Sequence, residues 1–400
     1  MKNNSIRELN IDSIRADTPG CGSILHFNNA GAGLIARPVL NAVIEHIKLE
    51  SQIGGYEAAD AAEMAFENTY QQLAQFLNCS VKELALMENA TVAWQAAFYS
   101  LASRFQSGDR IITSEVEYAS NYIAYLQKAK CSGIKIDVVP SSETGEVDIV
   151  ALENMIDKDV KLIAITHIPT NGGLVNPVAD IGRVANAASI PFLLDACQSA
   201  GQVPLDVEVI GCDMLSAAGR KYLRGPRGTG FLYVRQEILE SLEPYMLDLH
   251  GASWTEYNKY TLRTDTRRFE NWEFNIAGQI GLGVAVDYAN TLGQQAIYER
   301  ISKLANSLRE HLKTLPSIIV HDIGREKAGI VSFSTPVIDP VSLKMELRKM
   351  GINCSTSGVS STRLDMVRRG LEVLNRASVH YYNTDEEVRR FSEALTTLVR

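Results

Sequence analysis

Between residues 109 and 234 the chain alternates short, nearly uninterrupted apolar runs with longer amphipathic stretches, and this rhythm constrains its fold more than any other feature. Apolar runs of this length without polar alternation suit strands covered on both faces, the situation of a parallel sheet whose crossovers are helices. The runs predict strands at Asp109–Thr113, Ile134–Val139, Leu162–His167, Phe192–Asp195, Cys212–Ser216 and Gly230–Val234. Helices are predicted between them, including Thr91–Ser103 and Val178–Ala188, the second with Pro177 at its first turn. Near Leu282 the pattern changes to longer helices, Leu282–Leu292 and Gln295–Thr314. A strand at Gly329–Ser334, a helix at Pro340–Met350 and a strand at Ala377–Tyr382 follow, and the last helix opens with Thr384 and Glu387 at capping-box spacing. The expected organisation is an N-terminal segment 1–20, a large α/β domain 21–285 and a smaller α+β domain 286–400.

The remaining composition narrows the function classes. A net charge of −8 without a basic tail argues against a nucleic-acid partner. The longest apolar runs fall short of a membrane span. The opening residues mix charges and lack an apolar stretch, so no secretory signal is expected. Six cysteines are scattered without a Cys-x-x-Cys pair, which points to reduced thiols and a cytoplasmic location rather than a disulfide frame or a metal site.

Two glycine-rich stretches imitate nucleotide-binding motifs. Gly31-Ala32-Gly33-Leu34-Ile35-Ala36 matches a dinucleotide fingerprint, but the apolar run before it is short, and Pro38 moves the next helix start beyond the glycines. A turn is the better reading. Gly225–Gly230 lacks the Gly-Lys-Ser/Thr of a phosphate loop.

The chemistry concentrates in Leu193–Gly201 (LLDACQSAG) and Leu215–Phe231 (LSAAGRKYLRGPRGTGF). Asp195 ends a buried strand at the edge where open α/β sheets hold ligands, and Lys221 follows in a glycine-rich turn after the next strand. Pyridoxal 5'-phosphate needs such a pair: a lysine to hold its aldehyde as a Schiff base, and a carboxylate to keep its pyridine nitrogen protonated. Singly, each residue has an ordinary reading, the Asp as a helix cap and the Lys as a solvated charge.

With these segments the sequence resembles the class V aminotransferase and cysteine desulfurase group of fold-type I pyridoxal-phosphate enzymes, from FNNAGAG (Phe27–Gly33) to RASVHYYNT (Arg376–Thr384). The resemblance implies a mainly parallel, seven-stranded-type sheet, a smaller C-terminal α+β domain, an amino-acid substrate and a homodimer with shared active sites. It also assigns roles. Ala90 and Thr91 in ENATVAW would hold the cofactor phosphate at a helix N-terminus. Tyr118 takes the place of the stacking histidine of the desulfurases, and Thr170 or Asn171, with Gln198, would meet the phenolic oxygen. Arg220 would clamp the phosphate by charge, and Asn271 or Trp272 in RRFENWE would reach the partner subunit's phosphate. Arg376 would bind the substrate α-carboxylate, with Asn28, Asn29 and Ala30 lining the substrate side and Arg363 meeting a second acidic group.

The reaction is a separate question, because one scaffold hosts several. A desulfurase needs a nucleophilic cysteine on the loop before the substrate arginine. Here that stretch, Ser355–Arg369, contains none, and Cys354 reads as part of a strand. GRKYLRGPRGTG, RFENWE, SSTRLD and RASVHYYNT resemble more closely the branch of ergothioneine-type sulfoxide C–S lyases and isopenicillin-N-epimerase-like proteins. The expectation is β-elimination across the C–S bond of a cysteine conjugate or its sulfoxide, with Lys221 moving the α-proton and Asp195 supporting the ring. A class V aminotransferase, an amino-acid epimerase, a cysteine desulfurase and a non-catalytic scaffold are the alternatives.

Overall fold

The apolar runs assemble into one seven-stranded sheet. In this computed structural model, which describes residues 9–400, the strands are β1 (Leu84–Met87), β2 (Arg110–Ser114), β3 (Lys135–Val139), β4 (Val160–Thr166), β5 (Phe192–Asp195), β6 (Met214–Ala218) and β7 (Gly230–Val234). Their spatial order is β1-β7-β6-β5-β4-β2-β3, and only β7 runs antiparallel to its neighbours. Successive residues of a strand face opposite sides. Leu162 and Ala164 accordingly pack into one core with Leu193 and Met214, while Ile163 and Ile165 pack into the other with Leu194 and Leu215. Helices α1 (Ala90–Ala102), α2 (Ala119–Ser132) and α3 (Val178–Ala187) supply those cores. Trp94 stacks on Phe98, and Tyr125 meets both rings edge-on where α1 meets α2.

Beyond the sheet, α4 (Ile276–Leu292) and α5 (Gln294–Lys313) lead to a four-stranded antiparallel sheet. Its strands β8 (Ile319–Val320), β9 (Ile330–Ser334), β10 (Ser355–Gly358) and β11 (Val373–Ser378) lie in the order β8-β9-β11-β10. The expected domain boundary at 285 lies inside α4. Leu25–His26 pairs with Ile352–Asn353, and Asn28 bridges Ser378, so the N-terminal segment packs against the C-terminal strands. Residues 1–8 of the expected N-terminal segment lie outside the described residues. Among those described, no helix is long and apolar enough to cross a membrane.

Three local expectations need correction. β1 was not anticipated, because LALM sits between helical stretches and is too short to show a period. The strand expected at Ala377–Tyr382 begins earlier and stops at Ser378, where His380 turns the chain by bonding through its N–H to Asn383 Oδ1 (2.8 Å). The stretch 355–369, expected as a loop, contains β10 and a short helix, α6 (Arg363–Arg368). The capping box at Thr384 and Glu387 forms as its spacing predicts.

His167, just past β4, is buried, and burial pushes its pKa down to about 4. The unfolded chain takes up that proton near 6.5, so this contribution to stability is complete above pH 6.5 and is lost as pH falls towards 4. The size is about 3 kcal/mol. His380 is pushed down in the same way and acts in the same direction. Melting temperature is expected to fall as pH drops through this window, and His167→Asn to flatten the slope. An unchanged slope in the variant would remove the assignment.

Candidate active site

The carboxyl ends of β2, β4, β5 and β6 share one edge of the sheet, β1 leads into α1 there, and β7 starts there. Register places Thr166 beside Asp195, Asp195 beside Ser216, and Ala218 beside Gly230. A cavity opens along this edge. Its lining includes Ala90, Thr91, Tyr118, Thr170, Asp195, Gln198, Arg220 and Lys221, joined by Asn89, Asn121, Thr166, Cys197 and Thr229.

One end of the cavity is built for an anion. Asn89 caps α1 by accepting from the Val92 N–H (3.0 Å), which leaves the Ala90 and Thr91 N–H groups at the head of a 13-residue helix on the cavity wall. Arg220 lines the same space and donates through Nη1 to the Gly31 carbonyl.

At the sheet edge Asp195 is 6% exposed. Its Oδ2 accepts from Asn121 Nδ2 (2.8 Å) and its Oδ1 from the Cys197 N–H (2.9 Å). Burial raises its pKa, against the lowering effect of these two bonds and of the nearby Lys221 charge. Tyr118 stands at the head of α2 and opens onto the cavity.

Lys221 and Cys197 line the cavity together; burial pushes the thiol's pKa up, against the lowering effect of the Lys221 charge. The turn carrying Lys221 is held from both sides. The Gly33 N–H donates to the Arg220 carbonyl (2.9 Å), and a Cβ on Gly33 would lie 2.6 Å from the Lys221 carbonyl. Gly33 of the glycine-rich stretch therefore permits a close backbone approach to the lysine turn. On the far side Arg224, at φ +63° and 1% exposed, donates to Leu34 O (2.7 Å), Tyr381 Oη (3.0 Å) and Thr18 Oγ1 (2.5 Å). This clasp ties the lysine turn to both ends of the chain.

Thr170 is the inward member of its pair. Arg376, on β11, donates through Nη1 to the Thr170 carbonyl (2.7 Å) and hydroxyl (2.8 Å). Asn171 turns away and donates to Asp365 (2.8 Å), so it does not reach the cavity. Arg376 itself lies outside the cavity lining, behind Thr170; its Nε is buried without a partner, and burial and the Arg220 charge push its pKa down. Gln198 donates to the Ala30 carbonyl (3.1 Å), and its Oε1 lies buried without a partner.

Other expectations move. Asn29 is a structural tie: it donates to the Ser378 carbonyl (2.7 Å) and accepts from the Tyr382 hydroxyl, so its side chain is spent away from any substrate. Asn28 lies outside the cavity lining, with a buried Oδ1 that has no partner. Arg363 begins α6 as an exposed side chain outside the lining. Trp272 is 51% exposed and outside this chain's own cavity, and Asn271 donates to Glu88 (3.2 Å); the role expected of either is toward a partner subunit's phosphate, and these positions leave that expectation standing. Sequence reasoning did not single out Asn121, Thr166 or Cys197, nor Glu117, which lies just behind the lining. The signal for one pair was present: Glu117 and Asn121, four residues apart at a helix start, share a face.

These residues fit pyridoxal 5'-phosphate. A helix N-terminus and an arginine suit a phosphate dianion, a buried carboxylate suits a pyridinium, and a lysine amine lines the same cavity. The buried, unpartnered Arg376 Nε is a donor still to be satisfied by an acceptor.

The family model described as aminotransferase class-V matches residues 25–391. A probable cysteine desulfurase of Methanothermobacter thermautotrophicus is 30% identical over 393 residues, covering 97% of this chain and 98% of that protein. One of Xylella fastidiosa is 34% identical over 345 residues, covering 85% and 81%. Among solved structures, the apo cysteine desulfurase of Thermococcus onnurineus NA1 superposes with a TM-score of 0.90 at 27% identity, covering 97% of this chain and 98% of that one. With strand order, cavity and sequence in agreement, the chain belongs to the class-V aminotransferase family.

Proposed function

We propose that this chain is a pyridoxal-phosphate-dependent lyase that breaks the C–S bond of a cysteine conjugate, or of its sulfoxide, by β-elimination. The observation carrying this reading is a cavity that pairs Lys221 with Asp195 but offers no ready thiolate. Cys354 is buried beside β10 with its pKa pushed up to about 12, Cys197 is also raised by burial, and residues 355–369 contain no cysteine. Abstraction of sulfur by the enzyme's own thiol requires a thiolate. The name cysteine desulfurase places the relatives' chemistry on cysteine sulfur, and a cysteine derivative as substrate agrees with it.

When bound, pyridoxal phosphate supplies an aldehyde that accepts the substrate amine and a pyridinium that draws negative charge from the α-carbon. The chain's residues do the rest. The Ala90 and Thr91 N–H groups and Arg220 hold the phosphate. Asp195 keeps a positive ring nitrogen paired in a buried setting. Tyr118 supplies a flat wall. Arg376, held against Thr170 of the cavity lining, binds the substrate carboxylate through its guanidinium. Lys221 Nζ takes the α-proton, and the C–S bond then breaks with its electron pair leaving on sulfur as a thiolate or sulfenate. Hydrolysis of the released three-carbon fragment gives pyruvate and ammonia.

The test is a panel of cysteine S-conjugates and their sulfoxides given to the cofactor-loaded protein, with pyruvate and the sulfur product assayed together. Equimolar pyruvate and thiol or sulfenate product are expected from at least one compound. Alanine with sulfane sulfur would replace this reading by desulfuration, keto acid formed only with an added amino acceptor by transamination, and inversion without cleavage by epimerisation.

A further inference from the structure

We infer that Glu117 is a second, concealed carboxylate of the site: a positioning residue that orients Asp195 through Asn121 and helps hold a pyridine nitrogen opposite Asp195 in its protonated form. The inference rests on the pyridoxal-phosphate reading above.

Glu117 lies in the turn between β2 and α2, 3% exposed and behind the cavity lining. Its carboxylate accepts from five donors. Oε1 takes the Tyr118 N–H (2.7 Å), Asn121 Nδ2 (3.0 Å) and Thr166 Oγ1 (2.5 Å), and Oε2 takes Thr113 Oγ1 (2.7 Å) and Tyr125 Oη (3.3 Å). All five are neutral. Among the described residues no lysine, arginine or histidine forms an ion pair with it, and the main charge acting on it is that of Asp195. Burial and that charge push its pKa up to about 6, against the hydrogen bonds from Thr166, Thr113 and Asn121, and a shell made entirely of donors suits the ionised form.

A turn staple would not need the charge. In a glutamine at this position, Oε1 keeps its three donors, and the amide –NH₂ faces two hydroxyls that can rotate to accept. An anion buried without a cation carries a desolvation cost that the neutral amide avoids. Its benefit has to lie elsewhere, and Asn121 shows where. The Asn121 Nδ2 group donates to Glu117 Oε1 and to Asp195 Oδ2, both carboxylate oxygens. Both of its hydrogens are used, which fixes the amide between two anions. Asp195 is thereby locked, with the Cys197 N–H on its other oxygen, and one amide joins the two carboxylates. A proton on a nitrogen facing Asp195 is stabilised by both charges in a low-dielectric setting.

The test uses the apo-protein and two ligands, pyridoxal phosphate and its analogue with C–H in place of the ring nitrogen. Affinities for both are measured by equilibrium titration. Wild type is expected to prefer the nitrogen-containing ring, and Glu117→Gln to reduce that preference about tenfold, the effect of one pKa unit. Analogue affinity and melting temperature should remain near wild type. Asn121→Ala is expected to reduce the preference similarly, and it decides the matter if the Glu117→Gln variant does not fold. Loss of both affinities in parallel in a folded variant would mean a turn staple only, and an unchanged ratio would also overturn the inference. If wild-type protein binds neither ligand, the cofactor reading itself fails. If it binds both equally, only the role of Glu117 and Asp195 toward the ring nitrogen fails.

Discussion

Replacing Lys221 by alanine is expected to lower turnover at least about a thousandfold, because the change removes both the group that holds the cofactor aldehyde and the base that moves the α-proton. Lys221 is the lysine of the cavity lining, where its charge acts on Asp195 and on the Cys197 thiol. Neither Arg220 nor Arg376 can substitute, since a guanidinium stays protonated. The side chain is only partly buried, and its turn is held by backbone bonds and by Arg224, so the variant should fold with a near wild-type melting temperature. Steady-state rates with and without a small primary amine separate the two roles. Partial rescue that strengthens with amine basicity is expected. A variant retaining a tenth or more of the activity would end the assignment.

Asp195→Asn should cost about 10² to 10³ in kcat, as expected when a buried charge aimed at a developing charge is removed. The two side chains have the same shape, so the cavity keeps its form while the carboxylate is lost. One of the two donors now facing Asp195, the Asn121 amide or the Cys197 N–H, would then oppose an –NH₂ group. Cofactor affinity should fall together with kcat, because ring protonation supports both. Measuring kcat and the cofactor dissociation constant on the same preparation checks this. A loss confined to KM would move Asp195 from ring support to substrate binding.

These expectations differ in how far they were legible beforehand. Asp195 and Lys221 could be read directly, since a carboxylate ending an apolar run and a lysine in a glycine-rich turn are local facts about strand ends. The strands themselves were equally legible: β5 and β7 have the predicted limits, because burial on both faces leaves an unbroken apolar run. β1 was not, because four apolar residues carry no period that separates strand from helix.

The site residues divide along the same line. Thr170 and Asn171 are adjacent and both polar, and only the packing of β11 and α6 against their loop decides that Thr170 meets Arg376 while Asn171 meets Asp365. Asn29 looked like a substrate contact until the C-terminal strand took its hydrogen bonds. Glu117 shows the converse case, since its partners come from β2, α2 and β4 and its effect on Asp195 passes through another side chain.

By itself, the sequence determined what depends on neighbours along the chain: the period of the strands, the cap of the last helix, the strand-end acid and the lysine turn. Tertiary structure alone decided which polar groups face the cavity and which are spent on the scaffold. The physical reason is that a buried polar side chain must find a partner, and the partner can lie far along the chain: Asn29 finds Ser378, 349 residues away.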